Sequence, residues 1–242
     1  MPSPLFNITP LLEPIAQNAL ILTPNNRLKN KVLQAYNQHQ QTQGLSVWAG
    51  PRVHSLQQWL AETYQTLLDD LNIDAPKALA SELVRRQLWL DIIASDDRGA
   101  ELINPLKLAS DAETALQSIQ RWCVDLDTLN KADHVFELSG DEQTLFVSWA
   151  KQFLSTLNNQ QLQTAEQLQI AVNGFYAQQA SNAQASGQQD AREQQLIVLG
   201  FDDVPPLTQQ TFECIAKQHR ALKSLDMSEA ASRVTRSACQ DF

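Results

Sequence analysis

At 242 residues, with 43% hydrophobic residues and only seven glycines, the chain is long enough for one large domain or two small ones, and its composition suits a helix-rich globular protein. Its net charge of −9 argues against a generic nucleic-acid binder, whose domain is usually basic, and no apolar run approaches the roughly 20 residues that span a bilayer. Three cysteines, Cys123, Cys214 and Cys239, lie far apart without CxxC or Cys/His spacing, which argues against a disulfide framework or zinc site and for free thiols.

The N-terminus, MPSPLFNITPLLEP, has neither a charged leader region nor a cleavage site, so a cytoplasmic protein is expected. Asn18–Thr23 is apolar enough for a buried parallel strand, and Pro24 ends it. Asn25 or Asn26 then caps a basic amphipathic helix. Its face is Leu28, Val32, Ala35, Tyr36 and His39, with Arg27, Lys29, Lys31 and Gln34 off that face. A second strand is expected at Leu45–Ala49, ended by Gly50-Pro51.

From Ser55 to about Gln179 the pattern is helical, with little strand signal. Ser55 caps a helix whose face is Leu56, Trp59, Leu60, Tyr64, Leu67 and Leu71. Helices are also expected at about Lys77–Ala94 (Leu79, Leu83, Leu88, Trp89, Ile92), Pro105–Cys123 (Leu108, Ala112, Leu116, Ile119, Trp122), Asp141–Leu157 and Ala165–Gln179. Residues 177–195, rich in Gln, Ala and Ser, read as a flexible surface loop that buries too little to offset its ordering entropy. Gln195–Phe201 is a further apolar strand, Pro205-Pro206 opens a helix through Lys217, and a last strand is expected at Ala221–Asp226.

The expected fold class is therefore α/β, with a partial parallel sheet laid out like a nucleotide- or nucleic-acid-binding core of P-loop NTPase type that lacks its phosphate loop, and a large all-helical insertion. Residues 1–55 and 190–242 form the discontinuous α/β core, and residues 56–180 the insertion. Charge follows the same division. Residues 1–55 hold Arg27, Lys29, Lys31 and Arg52 against Glu13, a local +3, whereas residues 56–194 hold nine basic and twenty acidic residues. A polyanion would meet the N-terminal segment and avoid the middle.

A phosphate loop needs glycines for close backbone approach and a Lys followed by Ser or Thr. The first glycine is Gly44, and no Gly-Lys-Ser or Gly-Lys-Thr occurs. In LIVLGFDDVPP, Asp202 and Asp203 stand where an ATPase places its Walker B carboxylates, and equally where a carboxylate caps the next helix. At Thr23-Pro24-Asn25-Asn26-Arg27, a helix N-terminus, amides and Arg27 could meet a phosphate backbone, or the segment is only a strand end with an Asn cap. Lys29 and Lys31 read either way. Trp59, Trp89, Trp122 and Trp149 fit apolar helix faces and core packing, while Trp48, on the short strand near the basic segment, is the candidate for base stacking. Four histidines without HExxH or HxH give no metal site, no G-x-S-x-G elbow supports a hydrolase, and neither catalytic residues nor a cofactor is expected.

Taken in order, LTPNNRLKNKVLQAY, VWAGPRVHSLQQWL, QLWLDII, SWAKQFL and LIVLGFDDVPPLTQQTF resemble the N-terminal region of a bacterial family of probable DNA repair proteins, related to the AddB and RecC subunits of recombinational helicase–nucleases. The resemblance runs from Asn18 to Met227. It implies a superfamily-one helicase-like core, with TPNNR at the motif that touches single-stranded DNA, GFDDVPP at the place of Walker B, and the helical middle as the insertion called 1B. Gly200, Phe201 and Pro206 follow the relatives' second motif. The chain departs from active helicases in having no Walker A segment and no Asp-Glu pair at 202–203, so the resemblance implies a catalytically inactive, DNA-guiding segment. Full members are several times longer and end in a PD-(D/E)xK nuclease, with iron–sulfur cysteines in some branches. Neither signature is present, so an N-terminal fragment is expected, whose partners are single-stranded DNA, a helicase–nuclease subunit and the rest of its own parent chain. The alternatives are a scaffold that docks a partner through the acidic helices, and an ATPase with an atypical phosphate site.

Overall fold

A computed structural model describes residues 6–71, 76–100, 104–129, 140–186, 195–218 and 221–225. The chain begins with a helix that its prolines conceal in the sequence, α1 (Thr9–Ala16), with Pro10 in the first turn, where a missing N–H is harmless, and Pro14 inside. It closes on Asn18 in the left-handed conformation (φ 59°), and strand β1 (Leu20–Thr23) follows, buried along its whole length. Helix α2 (Asn26–Thr42) buries Leu28, Val32, Ala35 and Tyr36, the face its periodicity predicts apart from half-buried His39.

The second strand departs from expectation. Leu45–Ala49 forms no strand, and Leu45 and Val47 are exposed. Gly50-Pro51 precedes the strand instead of ending it: β2 is Val53–Ser55, with Ile21 N–H donating to Arg52 O at 2.9 Å. Helix α3 (Leu56–Leu71) follows at once, its Gln58 N–H 3.4 Å from Ser55 Oγ.

The middle is helical but not wholly so. Residues Ala78–Leu79 form β3, paired in parallel with β4 (Leu162–Gln163), so the next helix, α4 (Glu82–Ser95), starts at a Ser81 cap and not at Lys77. Leu79 and Leu83 are consequently exposed, and Trp89, Ile92 and Ile93 carry the buried face. A short α5 (Asp97–Ala100) precedes α6 (Pro105–Arg121), which Asn104 caps by accepting from Lys107 N–H at 3.1 Å. Trp122, expected in the core, is 56% exposed because the helix ends before it and Cys123 turns left-handed (φ 55°). Then come α7 (Leu126–Leu129), α8 (Gly140–Asn159) and α9 (Ala165–Ser186). Helix α9 opens with a reciprocal capping box, Gln167 N–H to Thr164 Oγ1 at 3.1 Å and Thr164 N–H to Gln167 Oε1 at 2.9 Å. It runs through residues 177–186, correcting the expected loop, because Ala and Gln are strong helix formers. Residues 187–194 of that loop lie outside the described residues.

Strand β5 (Gln195–Leu199), helix α10 (Pro206–Gln218) and strand β6 (Ala221–Leu225) are the last elements among the described residues. Asp226 and Cys239 lie outside the described residues. The main sheet is four-stranded and parallel, in the order β2-β1-β5-β6, with Ile21 opposite both Val53 and Ile197. The protein is thus a helix-rich α/β fold with a small parallel sheet.

The chain divides into two compact units. One comprises Met1–Tyr64, Val172–Val204 and Gln210–Phe242, the other Gln65–Ala171 and Pro205–Gln209. In the first, Ile21, Val53, Ile197 and Leu199 on one sheet face pack with Leu11 of α1 and with Leu28, Val32 and Tyr36 of α2. Trp59 stacks with Tyr176 at 6.1 Å between ring centroids, and burial pushes the Tyr176 phenol up against a smaller opposing effect of its hydrogen bond with Thr63. In the second, Trp89 stacks on Phe153 at 4.4 Å amid Ile92, Ile93, Ala112, Leu116 and Leu157. Trp149 is buried there too, its indole N–H donating to Asp96 Oδ2 at 3.2 Å, while Arg85 pairs with Glu113 at 2.5 Å and Arg121 with Glu166 at 2.9 Å.

Candidate nucleic-acid interface

The sheet brings together the two motifs that the sequence keeps far apart. Strands β1 and β5 are adjacent and parallel, with Leu22 opposite Val198, so Thr23 and Leu199 end level and Pro24–Arg27 and Gly200–Asp203 leave from the same edge. The chain proceeds from β1 outward to β2 and from β5 outward to β6. The strand order therefore reverses between β1 and β5, the position where open parallel sheets form a ligand crevice. Gly200, at φ 74°, supplies the left-handed residue that turns the chain sharply after β5.

The residues of TPNNR divide by role. Thr23 is fully buried, and its hydroxyl lies within hydrogen-bond distance of Asn25 O (3.0 Å) and His54 O (3.3 Å), fastening the turn to β2. Asn25 is the helix cap, its Oδ1 accepting from Leu28 N–H at 2.9 Å. Asn26 and Arg27 are exposed in the first turn of α2, where the helix dipole favours an anion.

Lys29 is half-buried and engaged. Its ammonium donates to Gln58 Oε1 at 2.6 Å, and Gln58 Nε2 donates to Glu62 Oε1 at 2.7 Å. His54 Nδ1 lies 3.1 Å from Glu62 Oε2, close in distance yet not aligned as a hydrogen bond. Sequence reasoning missed this chain through His54, Gln58 and Glu62. Only the pairing of β1 with β2 brings the first turns of α2 and α3 together, and no local pattern encodes that pairing.

Trp48 is placed elsewhere. Half-buried, it packs against the α1/α2 core and donates from its indole N–H to Asn37 Oδ1 at 2.9 Å. Asn37 is twelve residues along α2 from Asn25, about 18 Å at 1.5 Å per residue. Asp202 and Asp203 are exposed at the end of β5, so the carboxyl edge of the sheet carries positive charge where α2 begins and negative charge where β5 ends. Among the described residues no group of three or more His, Cys, Asp or Glu could hold a metal ion, and no helix is long and apolar enough to cross a membrane. No protein-family model matches the chain, and no curated protein matches it in sequence.

Proposed function

We propose that this chain is a catalytically silent, helicase-like module that binds or guides single-stranded DNA as the N-terminal part of a larger cytoplasmic DNA repair protein. The observation that carries the reading is the meeting of TPNNR and GFDDV at the carboxyl ends of adjacent parallel strands, in a chain without Gly-Lys-Ser or Gly-Lys-Thr. The reversal of strand order at which open parallel sheets bind ligands is present, while the Gly-Lys-Ser/Thr sequence that holds a nucleotide's β- and γ-phosphates is missing. Arg27, Asn26 and the N-terminus of α2 provide the phosphate-facing side. Asp202 and Asp203 repel phosphate from the other side, which sets the strand's path along α2.

Binding of a labelled single-stranded oligonucleotide across a salt series tests this. Affinity is expected to fall steeply with salt, and Arg27→Ala to reduce the slope by about 0.7, the value for one phosphate contact on a single strand. Absence of salt-dependent binding overturns the reading. Labelled ATP is expected not to bind; micromolar binding would support an ATPase with an atypical phosphate site.

One observation favours a second reading, a protein-interaction scaffold. Trp122 and Val124 are 56% and 42% exposed on the acidic helical unit, and exposed tryptophan is characteristic of binding surfaces. Under that reading Trp122→Ser breaks a complex with a partner subunit, and Arg27→Ala leaves DNA binding unchanged.

A further inference from the structure

Helix α2 carries three cations near its start, and they do not share a side. Arg27 and Lys31 are four residues apart, one above the other, and the row continues through Gln34 and Gln38; all four are exposed. Lys29 begins a different row, with Leu33 half-buried and packed against the core and Tyr36 buried. That row borders α3, where Gln58 holds the Lys29 ammonium at 2.6 Å and passes the contact to Glu62. Among the described residues Arg27 and Lys31 have no ion pair or side-chain hydrogen bond.

We infer that the polyanion track is the exposed row Arg27–Lys31–Gln34, and that Lys29 is a positioning residue which ties α2 to α3. The inference rests on the proposed function and adds Lys31 and Gln34 to the binding surface. Three physical reasons support it. Arg27 and Lys31 stand about 6 Å apart along the helix, so an extended strand lying along α2 can place successive phosphates on them. Neither cation has to give up a protein partner to do so, whereas Lys29 would have to surrender a short hydrogen bond and leave Glu62 behind, a like charge to the incoming phosphate. The amides of Gln34, farther along the row, donate to phosphate or base without adding charge.

The test compares three variants of the full chain on a labelled single-stranded oligonucleotide across a salt series. Lys31→Ala is expected to reduce the slope of log affinity against log salt by about 0.7, as one lost phosphate contact does on a single strand. Gln34→Ala is expected to weaken affinity at every salt concentration while leaving the slope unchanged. Lys29→Gln removes the charge and keeps an amide donor, on a side chain one atom shorter, and it is expected to leave the slope unchanged. If Lys29→Gln lowers the slope as much as Lys31→Ala does, or Lys31→Ala leaves it unaltered, the track is overturned while DNA binding stands. If the unmodified chain shows no salt-dependent binding, the proposed function falls and the track with it.

Discussion

Asn25 does structural work that can be separated from any role in binding. Its Oδ1 satisfies the Leu28 N–H, one of the donors a helix start leaves unpaired, and its backbone C=O accepts from Lys29 N–H at 3.3 Å. Asn25→Ala should lower stability by about 1 kcal/mol in a urea titration, and Asn25→Asp should keep most of it. A loss as large in Asn25→Asp as in Asn25→Ala would mean the side chain is not acting as a cap. Asp96 makes a prediction in pH. Loss of hydration pushes its carboxyl up, but the Arg98 N–H, the Trp149 indole and the Arg98 guanidinium outweigh it, and the net value is lowered. A carboxylate lowered by folding stabilises the native state above the ordinary aspartate value of about 3.9, and that contribution disappears as pH falls through the lowered value. Asp96→Asn should therefore be less stable than the parent at pH 7, with the difference closing in acid below about pH 4. A difference that stays constant through acid would show that Asp96 acts through shape alone.

The helix ends repeat one device with three residue types. After α1, α2 and α6 the chain turns on Asn18, Gly44 and Cys123, each at positive φ, and each end has paired backbone bonds: Asn18 to Ile15 and Ala19 to Pro14, Gly44 to Gln41 and Leu45 to Gln40, Cys123 to Gln120 and Val124 to Ile119. Glycine is the usual residue there and asparagine a tolerated one, so Cys123 is the costly choice. Cys123→Gly should raise stability by up to about 1 kcal/mol, since the relief of left-handed strain exceeds the extra backbone entropy of the unfolded chain. A lower urea midpoint would contradict the assignment of that turn.

Elements with their own periodicity were legible and those fixed from outside were not. The faces of α2 and of the first part of α3, the all-buried β1, the β5 strand buried from Leu196 to Leu199, and the helix after Pro205-Pro206 follow from spacing and capping residues within each segment. Strands β2, β3 and β4 are two or three residues long and exist because a neighbour pairs with them, so Leu45–Ala49 was the more strand-like sequence and β2 the actual strand. Trp122 fits the apolar spacing of α6, yet the helix stops one residue short of it, and boundaries are what periodicity defines least. At the site, an Asn cap at 25 or 26 and an Arg27 off the buried face could be read from order in the chain, while the choice of Asn25 and the hold of Gln58 on Lys29 required the structure.

At the scale of the molecule, the sheet order places the two segments of the resemblance, TPNNR and GFDDV, side by side, and the charge division leaves α2 as the surface a polyanion would meet. Under the proposed function, the helical unit, with its excess of acids, is expected not to compete for DNA. Single-stranded DNA is proposed to lie on the N-terminal turns of α2, and amide hydrogen exchange of the full chain with and without an oligonucleotide tests this most directly. Protection confined to the peptide spanning residues 24–34 is the predicted result, and protection in the helical segment 82–171, or none anywhere at saturating oligonucleotide, would contradict it.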